Sequence, residues 1–353
     1  MAKDKVWVDV LTPKQVLFFK PLVDEFRKRD VEVMATSRQF REVVPLAERV
    51  GLDLRYVGER GGKDAAGQLE AATKRQAEMI PIVKAFSPSV AVSVASAVCA
   101  RVAFGLGVKH IAVNDSPHSI VAGKLSLPLS HHVMCPWVIP YSAWSPFGVR
   151  ASQVTRYRAL DPAAWLKRDA YGGPVPPLDP RKKTVAVRVQ ESDAPYLAGK
   201  DRGWTSVVLG RLAAAFPDCN MVALCRYPYQ VEEVRKEFGS RYTVPEDIVD
   251  GRGLLSKTDL FVGMGGTMNA EAALMGVPTI SAFQGSLYTD AYLVRVGLLA
   301  RVHEPDALIR KAKALMNRGF RGRFRRKARR ILDSMEDPVA RISGFVEKTL
   351  EQG

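Results

Sequence analysis

The segment Asp259-Leu-Phe-Val-Gly-Met-Gly-Gly-Thr-Met-Asn-Ala-Glu271, continuing through Gly276 and Pro278, sets paired glycines, a hydroxyl and an acid close together. It reads as an apolar strand, a glycine turn and a helix starting near Thr267 or Met268, with a further strand at Thr279–Ala282. Gly265 and Gly266 permit positive φ and let a ligand come close to the backbone. A helix that starts there aims unpaired N–H groups and the positive end of its dipole at the same spot. That chemistry suits an anion, most naturally a phosphate or diphosphate. Glu271, one turn on, has the reach to accept hydrogen bonds from ribose hydroxyls. A tight βα turn without a ligand is the alternative reading of the same residues.

Other candidates are scattered along the chain. Asp115 and His118 follow the apolar run His110–Val113 and form a carboxylate–imidazole pair suited to removing a proton from a hydroxyl. Asn-Asp-Ser-Pro is also turn chemistry, in which Asp115 caps the turn and His118 packs against it. Asp9, at the end of the first strand, is another candidate carboxylate. Arg188 and Arg226 each follow a strand and offer charge-assisted contacts to phosphate, or ordinary surface salt bridges. Asp290 in Tyr288-Thr-Asp-Ala is placed to touch a sugar, with an N-cap role as the simpler reading. His131 and His132 read as structural, and His303 carries no signal. There is no His-Glu-x-x-His and no tight carboxylate cluster, so neither a metal nor another cofactor is expected.

The elements that must position these groups alternate. Strands are expected at Val6–Val10, Val31–Ala35, Leu54–Val57, Val90–Val94, His110–Val113 and His131–Cys135. The intervening helices lie over Phe18–Phe26, about Phe40–Val50, about Asp64–Phe86 and Cys99–Gly105. Pro21 is read as part of a first turn. Tyr171–Lys183 is rich in Pro, Gly and charge and reads as a linker. The pattern then restarts with strands at Thr184–Val189, Met221–Leu224, Tyr242–Val244 and Leu260–Val262. Helices are expected at Thr205–Phe216, Tyr229–Phe238 and Leu254–Lys257. Alternation of this kind implies parallel sheets with helices on both faces. Open α/β sheets bind ligands at the carboxyl ends of their strands, and two such edges suggest a cleft.

The chain has 353 residues, 47% hydrophobic and 25% charged, as expected of a soluble protein of two ordinary domains. No apolar run is long enough for a membrane span. Met-Ala-Lys-Asp-Lys leads straight into a strand, and no signal peptide is expected. Cys99, Cys135, Cys219 and Cys225 lack a Cys-x-x-Cys pair and suit a cytoplasmic location. The net charge of +15 is uneven. Between 310 and 330 the chain carries Arg310, Lys311, Lys313, Arg318, Arg321, Arg323, Arg325, Arg326, Lys327, Arg329 and Arg330 with no acid among them. The run reads as a solvated helical face, an anionic membrane contact or, less favoured, a nucleic-acid contact. Phe320 and Phe324 are placed either to dip into a lipid interface or to face the core.

Asp9 to Pro21 with Phe18-Phe19-Lys20-Pro21, Arg101 to Gly107, Asn114-Asp115, His118, Arg226-Tyr227-Pro228 and Gly265-Gly266-Thr267-Met268-Asn269 together carry a resemblance. The chain resembles the GT-B superfamily of nucleotide-sugar enzymes, and within it a largely archaeal, uncharacterised family. That family is distantly similar to the peptidoglycan N-acetylglucosaminyltransferase and to UDP-N-acetylglucosamine 2-epimerase. The resemblance spans most of the chain. It implies an α/β fold of two Rossmann-like parallel-sheet domains facing across a cleft. These are an acceptor domain at 1–170, a linker at 171–183 and a nucleotide-binding domain at 184–335. A terminal helix at 336–353 packs back toward the first domain.

The resemblance also implies site roles. Gly265, Gly266 and Thr267, with Met268 and Asn269, match the segment that cradles a diphosphate, and Glu271 matches the acid that holds the ribose. The family carries a histidine where this chain has Gln15. Glutamine takes no proton at neutral pH, which leaves Gln15 as a substrate contact and Asp115, His118 and Asp9 as the acid–base candidates. The implied activity is metal-independent glycosyl transfer from a nucleotide diphosphate-sugar, UDP-sugar favoured, to an acceptor that includes a lipid-linked one. A nucleotide-sugar 2-epimerase and a non-catalytic nucleotide- or RNA-binding protein are the alternatives.

Overall fold

Val6, Trp7 and Val8 are all excluded from solvent. Successive strand residues point to opposite faces, so this strand must be covered on both. A computed structural model describes residues 4–62, 64–190, 203–317 and 320–352, with only the backbone of Phe320 and Arg321. It divides into two compact units, residues 1–167 with 335–353, and residues 168–334.

Unit 1 runs β1 Lys5–Asp9, α1 Pro13–Lys28, β2 Glu32–Gln39, α2 Val43–Val50, β3 Arg55–Glu59, α3 Ala65–Phe86, β4 Val90–Ser93 and α4 Ala97–Gly105. It continues through β5 Lys109–Val113, α5 Ile120–Ser126, β6 His132–Pro136, β7 Val154–Tyr157 and α6 Ala163–Leu166. Its sheet has seven strands in the order β3-β2-β1-β4-β5-β6-β7, every pairing parallel. The chain therefore leaves β1, β5 and β7 on the same edge, where the first turn of α1 holds Lys14 and the loops after β5 and β7 hold Asp115 and Asp161.

Helix α1 begins earlier than its apolar spacing suggests. Pro13 occupies its first turn and Thr12 stands at the N-cap, so Pro21 lies inside the helix. There it removes one internal hydrogen bond, a loss set against the burial of Phe18, Phe19, Leu22, Val23 and Phe26 on the same helix. Asp64 caps α3 by accepting from the Gly67 amide at 2.8 Å.

Unit 2 runs β8 Thr184–Arg188, α7 Gly203–Ala215, β9 Asn220–Leu224, α8 Pro228–Phe238, α9 Gly251–Ser256 and β10 Leu260–Gly263. Then come α10 Met268–Leu274, β11 Thr279–Ser281, α11 Tyr288–Arg295, β12 Leu299–Arg301, α12 Pro305–Leu315 and α13 Phe320–Ser334. The last helix, α14 Pro338–Glu351, belongs to unit 1 and packs on α1. The five strands of unit 2 lie in the order β12-β11-β10-β8-β9, again all parallel. Val185 and Val187 join one core with Leu209, Leu212 and Leu308, while Ala186 joins the other with Leu254, Leu255 and Ala272. The expected strand at Tyr242–Val244 is reduced to a single bridge between Val222 and Thr243.

Candidate functional site

Strand β10 ends on the glycine corner of unit 2. Gly265 and Gly266 have φ of 106° and 82°, a region that L side chains rarely enter. A Cβ on Gly265 would stand 2.9 Å from the Phe283 ring, whereas one on Gly266 would meet nothing within 4 Å. Gly266 thus presents exposed backbone, flanked by half-buried Thr267 and Met268. Helix α10 has only seven residues, so its own dipole is short, and an anion at this corner would rest mainly on local N–H groups and basic side chains. Glu271 sits in that helix, 6% exposed.

Register brings the arginines to the same edge. Arg188 ends β8 opposite Gly263 and Leu224, and Arg226 follows β9 by two residues. Both are partly exposed. Arg188 Nη1 donates to the Cys225 carbonyl at 3.3 Å, and the Arg226 guanidinium lies 5.9 Å from the Tyr227 ring centre. The backbone amides of Arg226 and Tyr227 both donate to Gln230 Oε1, at 3.0 and 3.2 Å. The start of α8 is therefore already capped by its own side chain.

Two of the expected contact residues in unit 2, Asn269 and Asp290, are joined to each other and to Ser281. Asn269 is fully buried and donates to Ser281 Oγ at 3.1 Å and to Asp290 Oδ2 at 3.3 Å. Its Oδ1 fills the space over Gly263, 1.8 Å from where a Cβ would stand. Asp290 does not take the N-cap place of its helix. It is 3% exposed in the first turn of α11, whose N-cap is Leu287, and it also accepts from Ser281 Oγ at 2.7 Å. Burial raises its carboxyl above the usual range, and those hydrogen bonds only partly reverse this. The pair ties the end of β11 to α10 and α11.

In unit 1, Asp9 ends β1. Its carboxylate is wholly buried and accepts from Arg75 at 2.6 and 3.2 Å, Thr36 at 2.8 Å and Ser96 at 2.7 Å. Burial pushes its carboxyl up, but Arg75 and the hydroxyls more than reverse this and hold it below the usual range. A carboxylate so saturated is a poor base. Gln15 is 6% exposed, and its Oε1 accepts from the Leu11 amide at 2.6 Å, closing the β1–α1 corner. The carbonyl thus holds the backbone of that corner, and the side-chain NH2 of Gln15 is the group left for the expected substrate contact.

Asp115 and His118 remain together on the loop after β5. Asn114, not Asp115, closes the turn by accepting from the Ser116 amide at 2.8 Å. Sequence reasoning missed the partners of Asp115. Lys14 Nζ lies 2.6 Å from Asp115 Oδ2 and 2.7 Å from Asp161 Oδ2. Asp161 also accepts from the Tyr157 hydroxyl at 2.5 Å. Burial pushes Asp115 up, but the Lys14 ammonium and the Ser116 hydroxyl more than offset it, and the carboxyl falls below its usual range. Asp161 goes the other way, raised by burial to about 6 despite Lys14. Burial lowers the His118 imidazole, against the pull of Asp115, and favours its neutral form. Only a Lys beside Pro13 and an Asp before Pro162 marked these positions in the sequence, and neither is distinctive.

The cations of α12 and α13 are exposed where their side chains are described, namely Arg310, Lys311, Lys313, Arg323, Arg325, Arg326, Lys327, Arg329 and Arg330. Arg318 and the side chains of Phe320 and Arg321 lie outside the described residues. Phe324 is partly buried against the unit 2 core, so its ring faces inward rather than toward a lipid interface. Among the described residues no helix is long and apolar enough to cross a membrane, and no group of His, Cys, Asp and Glu is arranged to hold a metal ion.

Two Rossmann-like parallel-sheet units place this chain in the GT-B fold class. It belongs to the family described as "Protein of unknown function (DUF354)", whose model matches residues 4–350. Uncharacterized protein MJ0665 of Methanocaldococcus jannaschii is 28% identical over 321 residues, covering 86% of this chain and 89% of that protein. The structure is similar to UDP-GlcNAc 2-epimerase from Neisseria meningitidis bound to UDP-GlcNAc, with a TM-score of 0.74 and 12% identity over 99% of this chain and 100% of that one. It is also similar to the spinosyn forosaminyltransferase SpnP, with a TM-score of 0.66 and 16% identity over 99% of this chain and 100% of that one.

Proposed function

We propose that this protein is a glycosyltransferase that moves a sugar from a nucleotide diphosphate-sugar, UDP-sugar favoured, to the hydroxyl of an acceptor. The observation that carries the reading is the Gly265–Gly266 corner. Both glycines have positive φ at the carboxyl end of β10 and Gly266 is exposed backbone, with Arg188 and Arg226 on neighbouring strand ends. In this reading unit 2 holds the donor. Amides of Gly265, Gly266 and Thr267, with the two arginines, take up charge on the leaving diphosphate without a metal. Met268, whose side chain packs on the core that holds Leu254 and Leu255, follows that segment, and Glu271 accepts from the ribose. Unit 1 supplies Asp115 and His118 to receive the proton of the acceptor hydroxyl. A lipid-linked acceptor and attachment to an anionic membrane surface through α12 and α13 fit the exposed cations.

Thermal denaturation with millimolar UDP, GDP, TDP and CMP tests the foundation. UDP should raise the melting temperature most, and no change with any of the four removes the reading.

A second reading, a nucleotide-sugar 2-epimerase, is favoured by the higher structural similarity to the Neisseria epimerase than to the transferase SpnP. Incubation of UDP-N-acetylhexosamine alone in D₂O, followed by NMR, separates the two. Exchange of the sugar C2 proton without acceptor supports epimerisation, and an unlabelled sugar supports transfer.

A further inference from the structure

Three strand ends of unit 1 converge on one ammonium. Lys14 comes from the β1–α1 corner, Asp115 from the loop after β5 and Asp161 from the loop after β7. Each carboxylate gives one oxygen to Lys14 and the other to a hydroxyl, Ser116 Oγ at 2.8 Å for Asp115 and Tyr157 at 2.5 Å for Asp161. The side chains of Lys14 and Asp115 are 18% and 13% exposed, and that of Asp161 is 2% exposed. The cluster is thus anchored at depth and open at one end. Two carboxylates this close to one point would share a proton if no cation stood between them. Buried ion networks add little stability compared with apolar packing, so stability alone is a weak reason to keep this one. It lies on the strand edge where open α/β sheets meet their ligands, on the same loop as His118.

We propose that Lys14 and Asp161 are positioning residues of an acid–base site in unit 1. Lys14, tethered to Asp161, holds Asp115 as a carboxylate for His118, so that the neutral imidazole receives the proton of a substrate hydroxyl. This deepens the transferase reading and rests on it. The acceptor oxygen forms its bond to the anomeric carbon of the donor. The bond from that carbon to the diphosphate breaks, and its electron pair leaves on the diphosphate. The hydroxyl proton passes to His118, and Asp115 balances the imidazolium.

The titratable groups facing Asp115 include Lys14, His118, Asp161, Tyr157 and Cys135. Those facing Asp161 include Lys14, Asp115, Tyr157 and Cys135 of β6, with Arg156 of β7 acting on Cys135.

The test uses the full chain with Lys14→Met, Lys14→Arg and Asp161→Asn. Carboxyl carbon NMR, without substrate, follows the aspartate titrations. In the wild type Asp115 stays ionised through the neutral range. In Lys14→Met its midpoint rises by about one pH unit or more, and Lys14→Arg restores it. Turnover of a UDP-sugar in Lys14→Met falls about tenfold near pH 6 and recovers at higher pH, while the donor KM stays within about twofold. Asp161→Asn, with Lys14 retained, keeps Asp115 ionised but lowers kcat.

An unchanged Asp115 midpoint in Lys14→Met overturns the proposal, whatever the activity. So does an unchanged kcat and pH profile in an Asp161→Asn protein that folds. A wild type that shows the expected titration but turns over no nucleotide-sugar overturns the transferase reading instead, and leaves the charge arrangement in place.

Discussion

Replacing each paired glycine by alanine separates a structural requirement from a binding requirement at the same corner. Both residues lie at positive φ, where an L side chain costs roughly 1–2 kcal/mol. At Gly266 nothing else stands in the way, so Gly266→Ala should lose only that amount of stability. At Gly265 the new Cβ meets the Phe283 ring at 2.9 Å, and this overpacking adds about 1–3 kcal/mol. Gly265→Ala is therefore the more destabilised variant, by about 2–5 kcal/mol in all. The binding order reverses this emphasis. The methyl group of Gly266→Ala projects onto the exposed face where a diphosphate would approach. UDP affinity should then fall about tenfold or more, equivalent to about 1.4 kcal/mol. Urea denaturation measures the first quantity, and calorimetric titration of the folded variants measures the second. A Gly266→Ala protein that binds UDP as tightly as the wild type refutes the assignment of the anion to this corner.

Further outcomes follow from other contacts. Glu271→Ala should weaken UDP binding by about 1.5–3 kcal/mol through lost charge-assisted ribose contacts, and an unchanged dissociation constant refutes that role. Arg75→Met strands the Asp9 carboxylate in the core and should cost about 3–5 kcal/mol in denaturant at neutral pH. Asp9 has its folded-state carboxyl held low, so the stability it gains from Arg75 is present above the unfolded value and lost as pH falls through the folded one. The penalty for Arg75→Met should accordingly shrink in acid. Asp161 behaves oppositely. Its folded value of about 6 lies above the ordinary 3.8, so its contribution is present below the ordinary value and lost as pH rises through about 6. Asp161→Asn should flatten the stability curve across that window, and an unaltered slope would show that Asp161 is not the titrating group. Charge reversal at Arg323, Arg325 and Arg326 should abolish salt-sensitive binding to phosphatidylglycerol vesicles, at about 1 kcal/mol per charge. Vesicle binding that persists, or RNA binding lost in its place, removes the membrane contact.

The β/α alternation was legible because strands buried on both faces are written as continuous apolar runs, as in Val6-Trp-Val and Val185-Ala-Val. The glycine corner was legible because positive φ at a strand end demands a residue type that stands out. Helix α1 was misplaced at its start because Pro21 looks like a first-turn residue until Pro13 is seen to fill that position. Side-chain roles were harder to read wherever the partner is distant in sequence. Asp9 resembles a free strand-end carboxylate, and only the fold brings Arg75, Thr36 and Ser96 to it. Asn269 and Asp290 resemble ligand contacts, and only the fold shows that the Asn269 amide group and the Asp290 carboxylate hydrogen-bond to each other and to Ser281. Lys14 gives no local signal, because its meaning lies in two carboxylates more than a hundred residues away, on the separate loops after β5 and β7.

Crystals soaked with UDP give the most direct measurement of the nucleotide site. Diphosphate density is expected within hydrogen-bond distance of the Gly265, Gly266 and Thr267 amides, with the ribose on Glu271. Nucleotide bound elsewhere on the chain, or a corner that stays empty at saturating UDP, contradicts it.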